Sequence, residues 1–218
     1  MALIGGDRSG FGTAIPDWGR RLRDGLEPLE TAWAPPHEGE RPSAVLALLS
    51  SGEDPGLVLT LRAAGLDHHP GQISLPGGGR EPEDISPADT ALREAREEIG
   101  LPPSSVHLVG QLHTRDILVS QNRVVPVVGL WSGSDPICVC DEVEVEQVFR
   151  WSVSDLANPA NRVTARHPRG TAGPAWQMGD LFLWGFTASV VDALLRLGGW
   201  ERPWDADRIV DVPPRFRS

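Results

Sequence analysis

Residues 76–101 read PGGGREPEDISPADTALREAREEIGL, and the rest of the chain is best read outward from them. Ser86 suits a helix N-cap, Pro87 the first helical position, and Asp89 stands three residues after the cap. Gly100 suits the left-handed position that ends a helix, and Pro102 prevents its continuation. The spacing predicts a helix over 87–99, with Ala88, Leu92, Ala95 and Ile99 as its buried stripe. A second face carries Glu94, Glu97 and Glu98. Glu94 neighbours both of the others, and each like-charge pair at these steps costs roughly 0.2–0.5 kcal/mol. They also lie toward the C-terminal end, where the helix dipole disfavours anions. A divalent cation reverses that repulsion, and clustered hard oxygen donors suit Mg²⁺ or Mn²⁺. The plain alternative is a solvated acidic face tied to Arg93 and Arg96. The glycines at 77–79 lack the Gly-Lys-Ser/Thr of a P-loop. Beside an acidic helix they let backbone approach a metal and phosphates.

Outward from this helix, strands are predicted at 44–49, 57–61, 72–75, 106–112, 124–131, 145–151 and 161–166. A helix capped by Asp17 is expected to carry Trp18, Leu22, Leu26 and Leu29. A short helix is expected at 153–157, and a closing helix at 185–197 with Phe186, Val190, Ala193, Leu194 and Leu197 on one face. Non-uniform alternation of strands and helices favours an α/β or α+β fold with a mixed sheet. One domain over 16–198 is expected, with a flexible N-terminus at 1–15 and an extended tail at 199–218.

The chain has 218 residues, 20 Lys+Arg against 30 Asp+Glu, and a formal charge of −10. An acidic chain is a poor general binder of nucleic acid, because phosphate neutralisation needs a basic face. A phosphate-rich ligand would need local arginines or a bound cation. No apolar stretch approaches the ~18–20 residues that span a bilayer, and no signal peptide is visible. The two cysteines, Cys138 and Cys140, have the wrong spacing for a zinc knuckle and read as strand thiols in a reducing cytoplasm.

Arg93-Glu94-Ala95-Arg96-Glu97-Glu98-Ile99-Gly100-Leu101 resembles the core of the Nudix box, R-E-U-x-E-E-x-G-U, at every specified position. The upstream half is one residue longer than the general box, and Ile85 stands where that box has Glu. This expansion resembles the coenzyme A pyrophosphatase subfamily. Residues 58–78, VLTLRAAGLDHHPGQISLPGG, resemble that subfamily's signature at Leu59, Thr60, Arg62, Leu66, His69, Gly71, Pro76, Gly77 and Gly78. Trp184-Gly185-Phe186-Thr187-Ala188 is similar to its tail. The resemblance covers roughly residues 43–198.

The resemblance implies a Nudix α/β/α sandwich with a mixed sheet. It implies water attack on a phosphorus of a nucleoside-linked pyrophosphate, with Mg²⁺ or Mn²⁺ held by Glu94, Glu97 and Glu98 and with Arg93 holding a glutamate in place. Glu142 and Glu144 resemble the family's later acidic loop, a source of a general base or a further metal ligand, and Glu142 is assigned to the catalytic group. Arg62, His69, Gly71, Gln72, Gly77 and Gly78 become candidate substrate contacts. The subfamily implies coenzyme A or its derivatives, cut to 3′,5′-ADP and 4′-phosphopantetheine or its acyl form. Other nucleoside diphosphate derivatives, and a non-catalytic nucleotide-binding regulator, stay open as alternatives, as does a homodimer. There are three departures from the signature: Asp67 replaces a basic residue, Leu75 replaces Phe, and Gln121-Asn122-Arg123 replaces a small and aromatic pair.

Overall fold

The computed structural model describes residues 15–117, 122–133 and 135–216. In chain order the elements are α1 (Asp17–Gly25), β1 (Arg41–Ser50), β2 (Gly56–Arg62), β3 (Ile73–Ser74), β4 (Gly77–Gly79), α2 (Pro87–Ile99), β5 (Val106–Gln111), β6 (Arg115–Ile117), β7 (Asn122–Trp131) and β8 (Val145–Ser152). They continue with α3 (Val153–Leu156), β9 (Arg162–Arg166), β10 (Ala172–Met178), β11 (Leu181–Leu183), α4 (Gly185–Gly198) and β12 (Ile209–Asp211). Of the expected N-terminal segment, residues 1–14 lie outside the described residues, as does Gln121.

The first sheet runs β3-β2-β1-β7-β5, with β4 on β1, β6 on β7 and β8 on β2. The β1–β7 pair is parallel along ten residues, Arg41↔Asn122 to Ser50↔Trp131, while β2–β8 and β5–β7 are antiparallel. The sheet is therefore mixed. Strand β1 is buried on both sides, and its side chains alternate between two cores as the two-residue period requires. Ala44, Leu46 and Leu48 meet Ala91, Ala95 and Ile99 of α2. Ala47 and Leu49 meet Trp18 and Leu22 of α1 and Val190 and Leu194 of α4. Helices thus cover both faces, the α/β/α layering anticipated above. Among the described residues no helix is long and apolar enough to cross a membrane.

Helix α2 has the predicted bounds and a full capping box. The Asp89 N–H donates to Ser86 Oγ, the Ser86 N–H donates to Asp89 Oδ2, and Gly100 is left-handed at φ 70°. Its buried face is rotated from the expected stripe. Thr90, Ala91, Ala95, Glu98 and Ile99 are buried, while Ala88 and Leu92 are half-buried. The rotation follows from β4, which draws the Glu94 and Glu98 side of the helix inward. Helix α1 begins at Asp17, with Pro16 in the cap position, and stops at Gly25, so Asp17 is not its cap. Leu26 and Leu29 lie beyond it, because Glu27 turns to exchange backbone hydrogen bonds with Gln111. Cys138 and Cys140 lie outside any strand and are exposed.

A second sheet, β11-β10-β9-β12, was not foreseen. Its last strand comes from the expected tail, and β12 pairs parallel to β9. Val212 and Phe216 are buried against Val163, Ala165, Ala175 and Phe182. Where the sheet meets α4, Arg162 is only 1% exposed and pairs with Asp192. Its guanidinium lies between Trp176, at 4.9 Å, and Trp204, at 4.4 Å.

Removing one member of a buried ion pair leaves the other uncompensated and costs about 3–5 kcal/mol. Asp192 keeps Arg196 at 3.3 Å, so urea denaturation of Arg162→Met, which keeps the aliphatic stem and removes the buried partner, is expected to show a loss toward the lower end of that range. A loss below about 1 kcal/mol, the value of a surface pair, would show that Arg196 and solvent suffice for Asp192 without Arg162.

Candidate active site

Two backbone constraints place the site. Strand β4 pairs with β1 through Ser43↔Gly79, Ala44↔Gly78 and Val45↔Gly77. At Gly77, φ 155°, a Cβ would come within 2.4 Å of Ala44 O and 2.5 Å of Val45 Cα. At Gly78 a Cβ would lie 2.4–2.9 Å from the three carboxylate atoms of Glu94. The first glycine lets the strand lie on β1, and the second gives Glu94 its place.

On the outer side of α2, Arg93 gathers acidic groups. It donates to Gly79 O at 2.8 Å, Glu97 Oε2 at 2.8 Å, Glu94 Oε1 at 3.0 Å and Asp84 Oδ2 at 3.1 Å. Asp84, 5% exposed, also accepts from the Glu81 N–H and the Thr90 hydroxyl. Burial alone would raise the Asp84 pKa, but hydrogen bonds from Arg93, the Glu81 N–H and Thr90 hold it below the usual carboxylate range. Arg93 itself is raised despite its burial, through Asp84 and Glu94.

The inner side has the opposite balance. Glu98 is 4% exposed, and its Oε2 accepts the Gly77 N–H at 3.2 Å. Burial pushes its pKa up to about 8; Glu94 and Glu144 add to the rise, while the Gly77 N–H and Arg62 oppose it. Glu94 is raised for the same first reason, burial, with Glu97 and Glu144 adding and Arg93 opposing. Carboxylates that resist ionisation beside one another mark a site short of positive charge, which a hard divalent cation would supply. Glu94 and Glu98 are hard oxygen donors of the kind such an ion takes. Among the described residues no three His, Cys, Asp or Glu side chains already converge as a cage. Arg93 holds Glu97, and one oxygen of Glu94, toward the exposed side.

The remaining sequence candidates divide. Arg62 ends β2 beside this pocket. Its charge acts on Glu98, and its Nε is buried with no hydrogen-bond partner. Hydrogen bonds from the Arg62 N–H to Gln72 O, at 3.0 Å, and from the Gly71 N–H to Arg62 O, at 3.1 Å, close the 63–71 loop. His69, in that loop, has φ 55° and keeps an exposed edge. Partial burial, then Arg62 and His68, lower its pKa. Gly71 and Gln72 face the C-terminal turn instead: Gln72 Nε2 donates to Phe216 O at 3.2 Å, and a Cβ on Gly71 would meet the Phe216 ring at 3.8 Å. Glu142 and Glu144 are both exposed, and of the two Glu144 is the one whose charge reaches Glu94 and Glu98. The Glu144 carbonyl accepts the Ala63 N–H at 2.9 Å, which ties it to the end of β2. Arg123, a departure from the family pattern, pairs with Glu40 at 3.7 Å. Asp84 carried no assigned role in the sequence. Its signal was its place between the glycines and Arg93.

Gly78→Ala is expected to keep the melting temperature within a few degrees, because the clash falls on the end of a flexible side chain, yet to lower turnover by displacing Glu94. Gly77→Ala meets fixed backbone at an unfavourable φ and should lower the melting temperature markedly. Equal melts for the two variants would contradict this division. With its pKa at about 8, Glu98 is largely protonated at neutral pH without metal, so Glu98→Gln, a neutral replacement of the same shape, should be neutral or stabilising in chelator, by roughly 0–1 kcal/mol. It should also abolish most of the stabilisation that Mn²⁺ gives, since a ligand stabilises only through affinity for the native state. A clearly lower melt in chelator, or an unchanged response to Mn²⁺, would make Glu98 a purely structural carboxylate.

The family profile of the NUDIX domain matches residues 40–170. A protein described as "Uncharacterized Nudix hydrolase NudL" from Enterobacter sp. (strain 638) is 38% identical over 166 residues, covering 72% of this chain and 83% of its own. Its namesake from Escherichia coli (strain K12) is 35% identical over the same shares. Among solved structures, the Nudix hydrolase RenU from M. smegmatis aligns with 72% of this chain and 85% of its own, at 17% identity and a TM-score of 0.49. With the profile spanning β1 to β9 and the glutamates of α2 inside it, this chain is a member of the Nudix hydrolase family.

Proposed function

We propose that the enzyme hydrolyses the diphosphate of coenzyme A or a close derivative, releasing 3′,5′-ADP and 4′-phosphopantetheine or its acyl form. The observation that carries this reading is Arg62. It lies in the segment resembling the coenzyme A pyrophosphatase signature, its charge acts on Glu98, and its buried Nε has no protein partner. An arginine so held suits a phosphate oxygen beside the carboxylates. Glu94 and Glu98, with Glu97, would hold Mg²⁺ or Mn²⁺. When bound, such an ion neutralises the diphosphate and makes a metal-bound water a stronger nucleophile.

The chain's own groups do the rest. Gly77–Gly79 leave room for a ligand to approach the backbone, and Arg93 fixes Glu94 and Glu97 before the substrate arrives. Glu144, opposite α2, is the carboxylate best situated to accept a proton from the attacking water. This moves the base assignment from Glu142 to Glu144. A second reading keeps the chemistry and changes the substrate to another nucleoside diphosphate derivative. It draws on Asp67, an exposed anion where the signature has a cation, and on Arg123, engaged with Glu40.

Incubation with coenzyme A, an acyl-coenzyme A, NADH, ADP-ribose and deoxynucleoside triphosphates, each with Mg²⁺ or Mn²⁺, separates the readings. The expected result is fastest release of 3′,5′-ADP from a coenzyme A thiol or ester; faster turnover of NADH or ADP-ribose favours the second. Arg62→Ala should raise KM for coenzyme A more than it lowers kcat, because a ground-state phosphate contact is lost. Glu144→Gln should lower kcat by about 10²–10⁴, the usual range for a general base, while Glu142→Gln stays near wild type. The reverse order would return the role to Glu142.

A further inference from the structure

Cys138 and Cys140 belong to none of the chemistry above, yet they touch the helix that carries it. Both thiols are exposed, and their sulfurs lie 3.7 Å apart. The Cys138 N–H donates to Ile99 O at 3.2 Å, and the Cys140 N–H donates to Glu98 O at 2.9 Å. These are terminal carbonyls of α2, which have no partner within a helix. Cys140 Sγ also lies directly over Gly100, where a Cβ would approach it to 2.8 Å. The two thiols therefore sit on the segment that closes the C-terminal end of α2, one residue from Glu98.

We propose that Cys138 and Cys140 are a reversible thiol–disulfide site that controls the closure of this helix end. A low-molecular-weight disulfide is the oxidant. A thiolate of one cysteine attacks a sulfur of that disulfide, forming a mixed disulfide and releasing one small thiol. The second cysteine, as its thiolate, attacks the protein sulfur of the mixed disulfide and expels the second small thiol. The protein loses two electrons and two protons, and the small disulfide is reduced to two thiols.

Closing the bond brings the sulfurs to about 2.05 Å and the two Cα atoms to about 4.4–6.8 Å. Residues two apart in extended chain are about 7 Å apart. The Cys138 and Cys140 N–H groups point the same way, toward successive carbonyls, as alternate residues of an extended segment do. Most disulfides hold their Cα atoms at about 5.5–6 Å, so oxidation is expected to bend the chain at Val139. That bend draws the two N–H groups away from their carbonyls, so the turn holding Glu98 is expected to lose part of its closure. The consequence for catalysis rests on the role given to Glu98 above; the thiol chemistry does not.

The test uses the full chain equilibrated in glutathione buffers from reducing to oxidising, then acid-quenched and alkylated. Mass spectrometry is expected to show an intramolecular disulfide, lighter by two hydrogens than the dithiol and reversed by dithiothreitol. Hydrogen exchange at the amides of Cys138 and Cys140 should rise several-fold on oxidation. Turnover should fall several-fold in the wild type and stay insensitive to oxidation in Cys138→Ser. Glutathione retained on each cysteine, or a disulfide between two chains, overturns the proposal, as does a disulfide that leaves both amides protected and turnover unchanged. If neither redox form cleaves coenzyme A, the proposed substrate fails, while the mass and exchange measurements still decide the thiol site.

Discussion

Arg93 holds together groups that otherwise repel. Its guanidinium, 15% exposed, binds Asp84, Glu94, Glu97 and the carbonyl of Gly79. Three carboxylates and a backbone carbonyl from two segments thereby become one rigid assembly. Its planar fork of five donors makes that multiplicity available; a lysine offers three donors on a single point charge. Strand β4 is tied to α2 through the same group, so the glycine backbone and the acidic face keep one relative position.

This arrangement divides the acidic face in two. The outward side is neutralised by Arg93. On the inward side Arg62 is the cation whose charge acts on Glu98, Arg93 reaches Glu94 through one oxygen, and burial raises the pKa of both carboxyls. A buried carboxylate whose pKa has risen to about 8 is held in place by the fold rather than by its own stability. The capping box, the two cores on either face of β1 and the packing of Gly77 on Val45 supply that hold. The overall charge of −10 points the same way. An acidic protein meets a diphosphate most readily through an intervening cation.

The 63–71 loop depends on a part of the chain remote in sequence. Gln72 and Gly71 rest against Phe216, which is buried in the second sheet's core. Residues 199–216 therefore brace the 63–71 loop as well as completing a sheet. Arg162, set between two tryptophans and paired with Asp192, joins that sheet to α4.

Helix α2, from Ser86 to Gly100, was legible residue by residue, because capping, termination and like-charge crowding are local effects written in i, i+3 and i+4 spacings. The central strands were legible as apolar runs, and the Nudix resemblance rested on one contiguous register. What tertiary structure decided is everything that needs two distant segments. The buried face of α2 turned once β4 lay beside it. The acid whose field reaches Glu98 is Glu144 rather than Glu142, because β8 pairs with β2 and brings the Glu144 carbonyl to Ala63. Asp84 acquired a role only where Arg93 and Thr90 converge on it. The tail became β12 because the edge of β9 was there to pair with. Spacing along a chain determines which groups share a helix face; which charges oppose one another across a cleft depends on strand pairing, and that is settled only when the sheet closes.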